Sequence, residues 1–530
     1  MAQALSIERA AFRALALEHA ECAENQVIPH VVISRQIPVD LDTPVSALLK
    51  IRQGDFSFLL ESVERGSQVG RYSFLGTTPN QVLTAKDGIC TLEHPDGAAP
   101  GSTQACANPL AQLEAHISSR RLIATEGADP PIFSGGAVGY VGYEVACTLE
   151  PVSPAADAPL DLPDLAFAFY DTILVFDHLQ RTAQICTLAP LTPTPDREYD
   201  CATGRVEEVM RRLRQPVPAV HGPKRDTRDC QTSSNCTQAG YEQLVAQAQA
   251  HIAAGDIIQV VLSQRFERHT DADPFNIYRA LRMINPSPYM FFLQFGDFYL
   301  VGASPEMLVK LHKGKVSTHP IAGTRRRGFN SLEDRQLELE LLADEKEKAE
   351  HLMLVDLGRN DIGKIAKIGS VKVPRFMQVE HYSHVMHLVS EVEGEMREGL
   401  GPVDALRSCF PAGTVSGAAK VRAMQIISEL EKDRRGTYAG AAGYIGYDGS
   451  MDTAITIRTI AIRKGLATVQ AGAGIVADSV PASEYEETEH KARALISAIE
   501  LAEQIEREEA GKFGADQIGM PVLEPEEARA

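Results

Sequence analysis

The chain alternates between two patterns of hydrophobic and polar positions. From residue 32 to about residue 185, short apolar or alternating runs stand between Gly, Pro and Asp, which is typical of β-strands joined by turns. The clearest of these runs are 56–60, 72–75 and 172–176. Further along, the pattern predicts a helix over 241–254 and a buried strand over 257–262. We therefore predict a protein that combines helices with many strands.

A stretch of different character lies between these two parts. From Leu188 to Thr237, prolines and a polar run over 226–237 flank a single amphipathic helix, 199–213. At 530 residues the chain is also too long for one simple core, so we expect two domains with a boundary near Thr237. The predicted division is 29–190 for an N-terminal domain, 191–237 for a helix and polar linker, 238–505 for a second domain and 511–530 for a disordered tail.

Composition restricts the possible partners and setting. A content of 44% hydrophobic and 23% charged residues is typical of a soluble globular protein. The net charge of −19 argues against nucleic acid or an anionic membrane as a partner, and no apolar run approaches membrane-spanning length. The segment 7–23 is too charged for a signal peptide and too acidic for a transit peptide, so we expect a cytoplasmic protein. Nine scattered cysteines without a C-x-x-C motif favour neither a disulfide framework nor a zinc site.

The stretch 472–478 is rich in glycine and precedes a predicted helix. Gly472 and Gly474 fit a dinucleotide-binding fingerprint, but such a turn must open directly into a helix. Here Pro481 and the extended segment 475–476 intervene. The remaining interpretation is a strand whose glycines let a ligand approach the backbone closely.

The helix after this stretch carries charged residues on its apolar face. We expect it to begin with a capping box formed by Ser483 and Glu486. Glu484, Glu487 and Lys491 fall on the stripe that should be buried. Because an inward carboxylate is costly unless it is paired or binds a metal, two explanations stay open. Either Glu487 and Lys491 pair with each other four residues apart, or this stripe faces a ligand or metal.

An acidic helix predicted from Ser331 to Leu357 has the same feature. Glu350 lies on its apolar stripe one turn after Glu347, whereas Glu345 fits a solvated face. Two helices are thus predicted to direct glutamates inward. Oxygen ligands without His or Cys suit Mg²⁺, which takes one or two protein carboxylates and completes its octahedron with water and an anionic substrate.

Polar residues on predicted strands indicate further parts of a pocket. Two strand ends combine small and polar residues, as expected where backbone lines a pocket, and these are 302–306 and 320–325. His387 is predicted to lie on the buried face of a strand, where a structural histidine is the commoner explanation. Thr456 and Arg458 share one face of a strand predicted over 454–462, and a buried Arg suggests a carboxylate partner.

A short internal similarity links 135–143 with 439–447. Both segments end in Gly-Tyr-x-Gly-Tyr after a run of small residues. Two halves of related architecture would explain it, although Gly-rich strands also recur by chance.

Four motifs together resemble those of the chorismate-utilising enzymes, and most closely those of the large subunits of anthranilate synthases. The motifs are PIAGTR at 320–325, EHLMLVDLGRND at 350–361, FPAGTVSGA at 410–418 and QAGAGIV at 470–476. The resemblance covers roughly 29–500 and implies an α+β fold in which antiparallel β-sheets pack as a sandwich with helices outside. It also implies a regulatory role for the N-terminal domain and a chorismate-binding, catalytic role for 238–505.

The same resemblance implies a set of site residues. The Mg²⁺ ligands would be Glu350 and Glu487, with Glu347 and Glu484 in support. The carboxylates of chorismate would be held by Gly323, Thr324, Tyr438, Arg458, Gly472, Ala473, Gly474 and Lys491. Glu306 would protonate the departing C4 hydroxyl as a general acid, and His387 and Thr414 would assist loss of enolpyruvate and aromatisation.

Two positions distinguish the chain from relatives with other reactions. Ala322 stands where aminodeoxychorismate synthase carries a lysine nucleophile, so a covalent route is closed. Gln259 stands where isochorismate and salicylate synthases use a lysine base to activate water, so ammonia is the expected nucleophile. The implied reaction forms anthranilate and pyruvate from chorismate, as the first committed step of tryptophan biosynthesis. An amination-only enzyme that retains the pyruvyl group and a non-catalytic amino-acid-sensing subunit remain as alternatives.

The resemblance also implies a partner and an inhibitor. A separate glutamine amidotransferase subunit would supply ammonia, because the segment 88–90 ends in a cysteine but lacks the Gly-His-Gln of a glutaminase. L-Tryptophan would inhibit the enzyme by feedback. Its expected site is formed by Ser62 in the first domain and by Pro288, Tyr289 and Met290 in the second.

Overall fold

Strands with inward apolar residues pair into two large sheets in the computed structural model, which describes residues 5–19, 27–62, 70–95, 97–125, 131–156, 161–218, 231–381 and 385–510. The predicted tail, 511–530, lies outside these ranges, as do Ser383 and His384 beside the predicted His387 strand. All described pairings are antiparallel except one, between the strands 28–38 and 120–122. Within the described ranges, no helix has the length and apolar character needed to cross a membrane.

The first sheet has 13 described strands. The strand that begins at residue 233 lies at one edge and the strand that ends at residue 122 lies at the other. In that order they are β12 (Ser233–Ser234), β13 (Gln259–His269), β25 (Leu466–Ile475), β24 (Thr459–Arg463), β15 (Phe298–Ser304), β14 (Tyr289–Phe295), β2 (Phe56–Glu61), β3 (Tyr72–Thr77), β10 (Thr172–Asp177), β11 (Thr182–Pro190), β1 (Ile28–Pro38) and β7 (Arg120–Leu122), with β21 (Gly417–Ala418) paired to β13. The strands predicted at 56–60, 72–75 and 172–176 are confirmed as β2, β3 and β10.

The second sheet has 12 described strands. In order they are β18 (Ile321–Arg326), β20 (Val385–Glu395), β17 (Lys315–Thr318), β16 (Met307–His312), β23 (Met451–Ile455), β22 (Ala441–Gly446), β8 (Gly136–Val141), β9 (Leu165–Tyr170), β4 (Gln81–Lys86), β5 (Ile89–Glu93) and β6 (Ser102–Ala105), with β19 (Lys372–His381) paired to β20. The α-helices are α1 (Arg9–His19), α2 (Pro44–Ile51), α3 (Pro109–Ser118), α4 (Pro195–Leu213), α5 (Gln238–Ala253), α6 (Pro274–Ile284), α7 (Ser331–Ala343), α8 (Glu345–Gly363), α9 (Pro402–Cys409), α10 (Gly413–Ser416), α11 (Lys420–Leu430) and α12 (Pro481–Ala510).

Apolar side chains between the two sheets form the central core. Phe58 of the first sheet meets Tyr170 of the second edge to face, with 4.7 Å between ring centroids. On the outer face of the first sheet, α2, α4, α6 and α12 bury their apolar stripes, while α8 and α9 pack on the second sheet. The predicted α+β fold, a sandwich of antiparallel sheets with helices outside, is confirmed.

The two halves of the chain repeat one strand order. Outward from the centre of the first sheet, β14, β15, β24, β25 and β13 on one side match β2, β3, β10, β11 and β1 on the other. In the second sheet β22, β23, β16, β17 and β20 match β8, β9, β4, β5 and β6. The similar segments 135–143 and 439–447 meet at the centre, where Gly139 lies opposite Gly443. The hypothesis of two halves with related architecture is therefore confirmed, and both predicted domains contribute strands to both sheets.

The helix predicted over 331–357 is wrong as a single element, because the structure has two helices there. Asp344 separates α7 from α8, and its Oδ1 accepts hydrogen bonds from the amides of Lys346 at 3.0 Å and Glu347 at 3.2 Å. A side chain that caps a new helix in this way competes with continuation of the old one. The second helix then runs past Gly358, where we expected it to end, to Gly363.

Two further element predictions are wrong. The strand predicted over 454–462 is divided, because β23 ends at Ile455 in the second sheet and β24 begins at Thr459 in the first. The helix α12 begins at Pro481, so Ser483 lies in its first turn and cannot form the predicted capping box. Proline is favoured at this position because its fixed φ suits the first turn and its missing N–H is not needed there.

Candidate active site

The candidate site is centred on two neighbouring crossings between the sheets. β15 passes into β16 through Glu306, and β23 passes into β24 through Arg458. The crossings are hydrogen-bonded to each other, since Ile455 N donates to Glu306 O at 3.0 Å and Ala303 N donates to Arg458 O at 3.0 Å. Arg458 has a φ of 50°, a left-handed conformation that is uncommon for residues other than glycine. Such conformations cluster at functional sites.

Glu306 is held in a protonatable state. Its Oε2 accepts a hydrogen bond of 2.8 Å from Oγ1 of Thr414, which lies on α10. Burial raises the pKa of Glu306 above that of an ordinary glutamate, while the Thr414 bond and the nearby charges of Lys491 and Arg458 oppose this shift. A carboxyl group with a raised pKa is suited to donate a proton.

Arg458 is a half-buried cation that points toward two carboxylates without pairing with either. Burial lowers the pKa of its guanidinium, and the charges of Glu306 and Glu487 oppose that shift. No described residue forms a hydrogen bond or ion pair with its guanidinium group. A guanidinium stays charged in proteins and binds carboxylates through paired N–H donors. Arg458 is therefore available to an anionic ligand.

The glycines of β25 let neighbouring groups of the site pack closely against the backbone of this strand. A Cβ atom at Gly472 would lie 2.7 Å from both Leu262 O and the Tyr438 hydroxyl. One at Gly474 would lie 2.8 Å from Nε2 of Gln259. Ala473, between them, directs its side chain into the apolar core and away from the site. These distances explain why both positions require glycine, while the approach of a ligand to this strand stays a prediction.

Lys491 of α12 reaches the same strand. Its Nζ donates to Gly472 O at 2.9 Å and lies 2.5 Å from Oε1 of Glu487. The pairing of Glu487 with Lys491 that the sequence left open is thus present. It does not remove either group from the site, because both side chains remain partly exposed, at 47% and 33% respectively.

His387 and Thr324 face each other on neighbouring strands. They are paired in the register of β18 and β20, and Nδ1 of His387 lies 3.0 Å from Oγ1 of Thr324 and 3.3 Å from Gly323 O. Burial lowers the pKa of His387, so the imidazole is neutral at neutral pH. The predicted buried face of this strand is wrong, since Met386 and Leu388 fill the core and His387 is half-buried on the other face.

Four glutamates from α8 and α12 gather near these groups. Gln259 Nε2 donates to Oε1 of Glu350 at 3.4 Å. Burial and the charge of Glu347 raise the pKa of Glu350, and Glu487 adds to the shift. Burial also raises the pKa of Glu484, again with a contribution from Glu487. Like charges held this close repel each other, which a bound cation would relieve.

The donor set of this cluster suits an open cation site. Arg325 already pairs with Glu347 at 3.2 Å, which leaves that residue a supporting position. Among the described residues, no three His, Cys, Asp or Glu side chains are grouped closely enough to hold a metal by themselves. Carboxylate oxygens in a site that the protein does not close fit Mg²⁺, which keeps water and substrate oxygens among its ligands.

A buried ion pair beneath Tyr438 was not predicted from the sequence. Arg435 is 1% exposed in its side chain and pairs with Glu431 at 2.7 Å. It also donates to the carbonyls of Val415 and Val261, each at 2.7 Å, so it joins α10, which carries Thr414, to β13. The signal was the spacing of four residues, but within the charged run 431–435 it resembles a solvated loop.

The N-terminal half of the chain also contributes to the buried region beneath Tyr438. Glu144 accepts hydrogen bonds from the amides of Arg435 at 2.7 Å and Gly436 at 3.0 Å. Burial raises the pKa of Glu144 to about 7. A carboxylate from one half therefore fixes the loop that leads to Tyr438 in the other.

The residues expected to bind tryptophan lie side by side at the centre of the first sheet. Met290 of β14 is opposite Glu61 of β2, and Ser62 follows directly. The Ser62 hydroxyl oxygen is buried and has no hydrogen-bond partner among the described residues. Tyr289, which follows Pro288, donates from its hydroxyl to Asp452 Oδ1 at 3.1 Å. The structure thus brings together two segments more than 200 residues apart in the sequence.

Comparison with known proteins identifies the family. A family model described as chorismate binding enzyme matches residues 73–497, which is most of the chain. The chain belongs to this family. It is 45% identical to anthranilate synthase component 1 of Aquifex aeolicus, over 92% of this chain and 97% of that protein. It is 47% identical to the protein of the same name from Thermus thermophilus, over 88% of this chain and 96% of that protein.

Solved structures of the chorismate-binding family agree with the fold. Anthranilate synthase component I from Streptococcus pneumoniae superposes with a TM-score of 0.70 at 36% identity, covering 87% of this chain and 99% of that one. The menaquinone-specific isochorismate synthase of Escherichia coli has a TM-score of 0.63 at 20% identity, covering 92% and 100%, which supports the fold alone. The resemblance inferred from four motifs is confirmed over nearly the whole chain.

Proposed function

We propose that the chain is the chorismate-binding subunit of an anthranilate synthase, which converts chorismate and ammonia to anthranilate, pyruvate and water. The observation that carries this proposal is the proximity of Arg458, whose guanidinium pairs with no described residue, to Glu306, a carboxyl group whose pKa burial raises. Chorismate presents carboxylates to bind and a hydroxyl to expel, so it needs both groups. The names of similar proteins support the same reaction.

The first chemical step is amination of the ring. The nitrogen of ammonia attacks C2, the ring electrons shift, and the bond from C4 to its hydroxyl oxygen breaks. Glu306 donates a proton to that oxygen, so it leaves as water. The raised pKa of Glu306 supports this role. Gln259 carries an amide and cannot act as a base toward water, which favours ammonia as the nucleophile.

The second step removes the pyruvyl group and makes the ring aromatic. The aminated carbon must lose its proton, the ring bond to the enolpyruvyl oxygen must break, and the departing enolpyruvate must take up a proton to become pyruvate. The lowered pKa of His387 supports a role as the proton acceptor, because its imidazole is neutral. Thr324 and Gly323 lie within 3.3 Å of Nδ1 and would orient the ring so that the other nitrogen faces the substrate. Thr414 holds Glu306 throughout.

Glu350 and Glu487 would hold Mg²⁺, with Glu347 and Glu484 in support. When bound, Mg²⁺ acts as a Lewis acid on the ring carboxylate of chorismate. The other carboxylate would lie against Arg458 and the Lys491 ammonium. Burial and the repulsion from Glu347 together raise the pKa of Glu350, and a bound cation would offset both effects, which supports a cation at this place.

Ammonia is proposed to come from a separate glutamine amidotransferase subunit. Cys90 would be the candidate nucleophile of a glutaminase within this chain, but it is buried in the core and burial raises the pKa of its thiol to about 12. A thiol in that state does not attack glutamine. L-Tryptophan is proposed to inhibit the enzyme from the Ser62 and Tyr289 site, where the unpaired Ser62 hydroxyl suits the polar end of an amino acid.

The test is turnover by the purified chain alone. With chorismate, Mg²⁺ and ammonium salt, we expect anthranilate fluorescence and an equal amount of pyruvate, and with glutamine in place of ammonium we expect neither. Glu306→Gln is the control, because it keeps the volume but cannot donate a proton. An aminated product that retains its pyruvyl group would identify an amination-only enzyme. Binding of tryptophan without any chorismate turnover would identify a sensing subunit instead.

A further inference from the structure

A fully buried serine joins the two crossings of the candidate site. Ser304 is the last residue of β15 and has no solvent exposure. Its hydroxyl donates to Ile455 O at 2.7 Å and accepts from Glu306 N at 3.3 Å. Ile455 N in turn donates to Glu306 O at 3.0 Å. Because water cannot replace a bond lost at this depth, this hydroxyl helps to fix the positions of both crossings, together with the backbone bonds between them.

The strand beside Ser304 carries the residues proposed to bind tryptophan. In the register of β14 and β15, Tyr289 lies opposite Ser304, and Met290 lies opposite Ala303. Ala303 N holds the carbonyl of Arg458 at 3.0 Å. One strand spacing, about 4.8 Å, therefore separates the proposed inhibitor site from the two residues that hold the proposed acid and the carboxylate-binding cation.

We propose that Ser304 is a positioning residue that couples occupancy of the site at Tyr289 and Met290 to the placement of Glu306 and Arg458. The proposal rests on the proposed function, since it takes tryptophan as the occupant. A ligand that binds one placement of β14 better than another shifts β15 with it, and Ser304 carries that shift to both crossings. By linkage, chorismate and tryptophan then weaken each other equally.

A second contact runs in parallel and defines what Ser304 adds. The Tyr289 hydroxyl donates to Asp452 on β23, three residues before Ile455, and Lys310 holds the other oxygen of Asp452 at 2.9 Å. This route reaches the Glu306 crossing only through the Ile455 amide on β23, whereas the Ser304 hydroxyl bonds directly to Ile455 O and to Glu306 N. Removal of the Ser304 hydroxyl should therefore reduce the coupling strongly without removing the tryptophan site.

The test measures the coupling directly. Tryptophan is titrated calorimetrically into the full chain with Mg²⁺, with and without saturating chorismate, and without ammonium so that chorismate is not consumed. For the natural chain we expect chorismate to raise the tryptophan Kd about fivefold or more. Ser304→Ala should bring the ratio of the tryptophan Kd with chorismate to the Kd without it close to one. The Kd without chorismate should change less than about threefold. Thr453→Val is the matched control, because it deletes a buried hydroxyl on β23 whose one hydrogen bond within the described part of the chain is to Val309 O, at 2.9 Å.

The outcomes separate this proposal from the one beneath it. A natural chain that binds no tryptophan would reject the inhibitor site and the coupling together, although turnover could still stand. If chorismate clearly raises the tryptophan Kd of the natural chain and Ser304→Ala leaves that increase unchanged, the role of Ser304 alone would be overturned. If Ser304→Ala fails to fold by thermal melting, Ser304→Cys keeps the volume with a weaker donor. It should give an intermediate ratio, and an unchanged ratio would overturn the proposal equally.

Discussion

The pair of neighbouring crossings that forms the candidate site, called a corner below, has an equivalent in the N-terminal half. The two corners differ in whether their charged side chains are paired. In the N-terminal half, β3 passes into β4 through Asn80, and β9 passes into β10 through Asp171. Asp171 pairs with Arg120 and accepts a hydrogen bond from Asn80. In the other half Arg458 has no such partner among the described residues. The same backbone arrangement is therefore closed in one half and available to a ligand in the other.

The helices and strands beside the two corners differ in the same way. On α4, Arg205 donates to Leu188 O at 2.6 Å on β11, much as Lys491 on α12 donates to Gly472 O at 2.9 Å on β25. β11 contains no glycine, and Leu188 fills the core beside it. β25 has Gly472 and Gly474 instead. The comparison teaches that a binding site can arise within a repeated fold when side chains are removed and charges are left unpaired.

The largest effect should come from the glutamates of α8 and α12. Glu350→Gln and Glu487→Gln should each lower Mg²⁺-dependent turnover about 1,000-fold or more, because the Lewis acid they would hold contributes several kcal/mol. Glu208→Gln on α4, the equivalent helix, should leave turnover unchanged, since Glu208 only pairs with Arg211 and Arg212 on its own surface. Anthranilate fluorescence across a Mg²⁺ titration measures this. Near-normal activity of either active-site variant at modest Mg²⁺ would refute the ligand assignment.

The two arginines should separate function from stability. Arg458→Ala should lower kcat/KM for chorismate by roughly 100-fold, about 3 kcal/mol, with little change in melting temperature. Arg120→Ala should do the reverse, since it leaves the mostly buried Asp171 unpaired and should cost about 3 kcal/mol of unfolding free energy. Steady-state kinetics and urea unfolding of both variants decide this. Equal losses of stability in the two variants would show that Arg458 is structural as well.

The half-buried position of Glu350 could be predicted from the sequence because helical periodicity is a local property, and a break at Asp344 does not disturb the phase of the helix that follows it. The predicted burial of Glu487 is wrong, since its side chain is 47% exposed beside Lys491 near the start of α12. The same reasoning failed for Arg458. An apolar run continues across 454–462, so nothing local indicates that the strand changes sheets at that residue.

Burial of charged groups was harder still to foresee. The run 431–435 resembles solvated loop sequence, yet Arg435 and Glu431 are nearly inaccessible because strands from elsewhere in the chain cover them. Such burial depends on tertiary packing, which the periodicity of the sequence does not report. The family resemblance supplied the fold, and the ligand roles it implied remain predictions to be tested by the variants described above and below.

A smaller effect is expected from adding a side chain to β25. Gly474→Ala places a Cβ atom 2.8 Å from Nε2 of Gln259, and this flexible end of a side chain can move aside. We expect a chorismate KM raised about tenfold with the melting temperature nearly unchanged, since the displaced Gln259 amide would cost about 1.4 kcal/mol of binding. Gly363→Ala on α8 is the control, because no atom lies within 4 Å of its added Cβ. A KM equal to that of the control would mean that chorismate does not approach this strand.

The smallest effect concerns the pH dependence of turnover and follows from the bond between Thr414 and Glu306. A general acid works only while protonated, so kcat should fall as the pH rises through the pKa of Glu306, which burial raises. The Thr414 hydroxyl donates to Oε2 of Glu306 at 2.8 Å and thereby stabilises the ionised form, which lowers that pKa. Thr414→Val should therefore move the alkaline limb of the kcat profile to higher pH, whatever it does to the maximal rate.

Thr414→Ser keeps the hydroxyl and should leave that limb where it is. The equivalent corner in the N-terminal half should not contribute an alkaline limb. Its carboxylate, Asp171, is paired with Arg120 and has no substrate to protonate. Full pH profiles of kcat for the natural chain and both variants test this directly. An alkaline limb that stays in place in Thr414→Val would mean that it reports a group other than Glu306. Because the limb position does not depend on the amount of active enzyme, partial loss of activity in Thr414→Val could not imitate the expected shift.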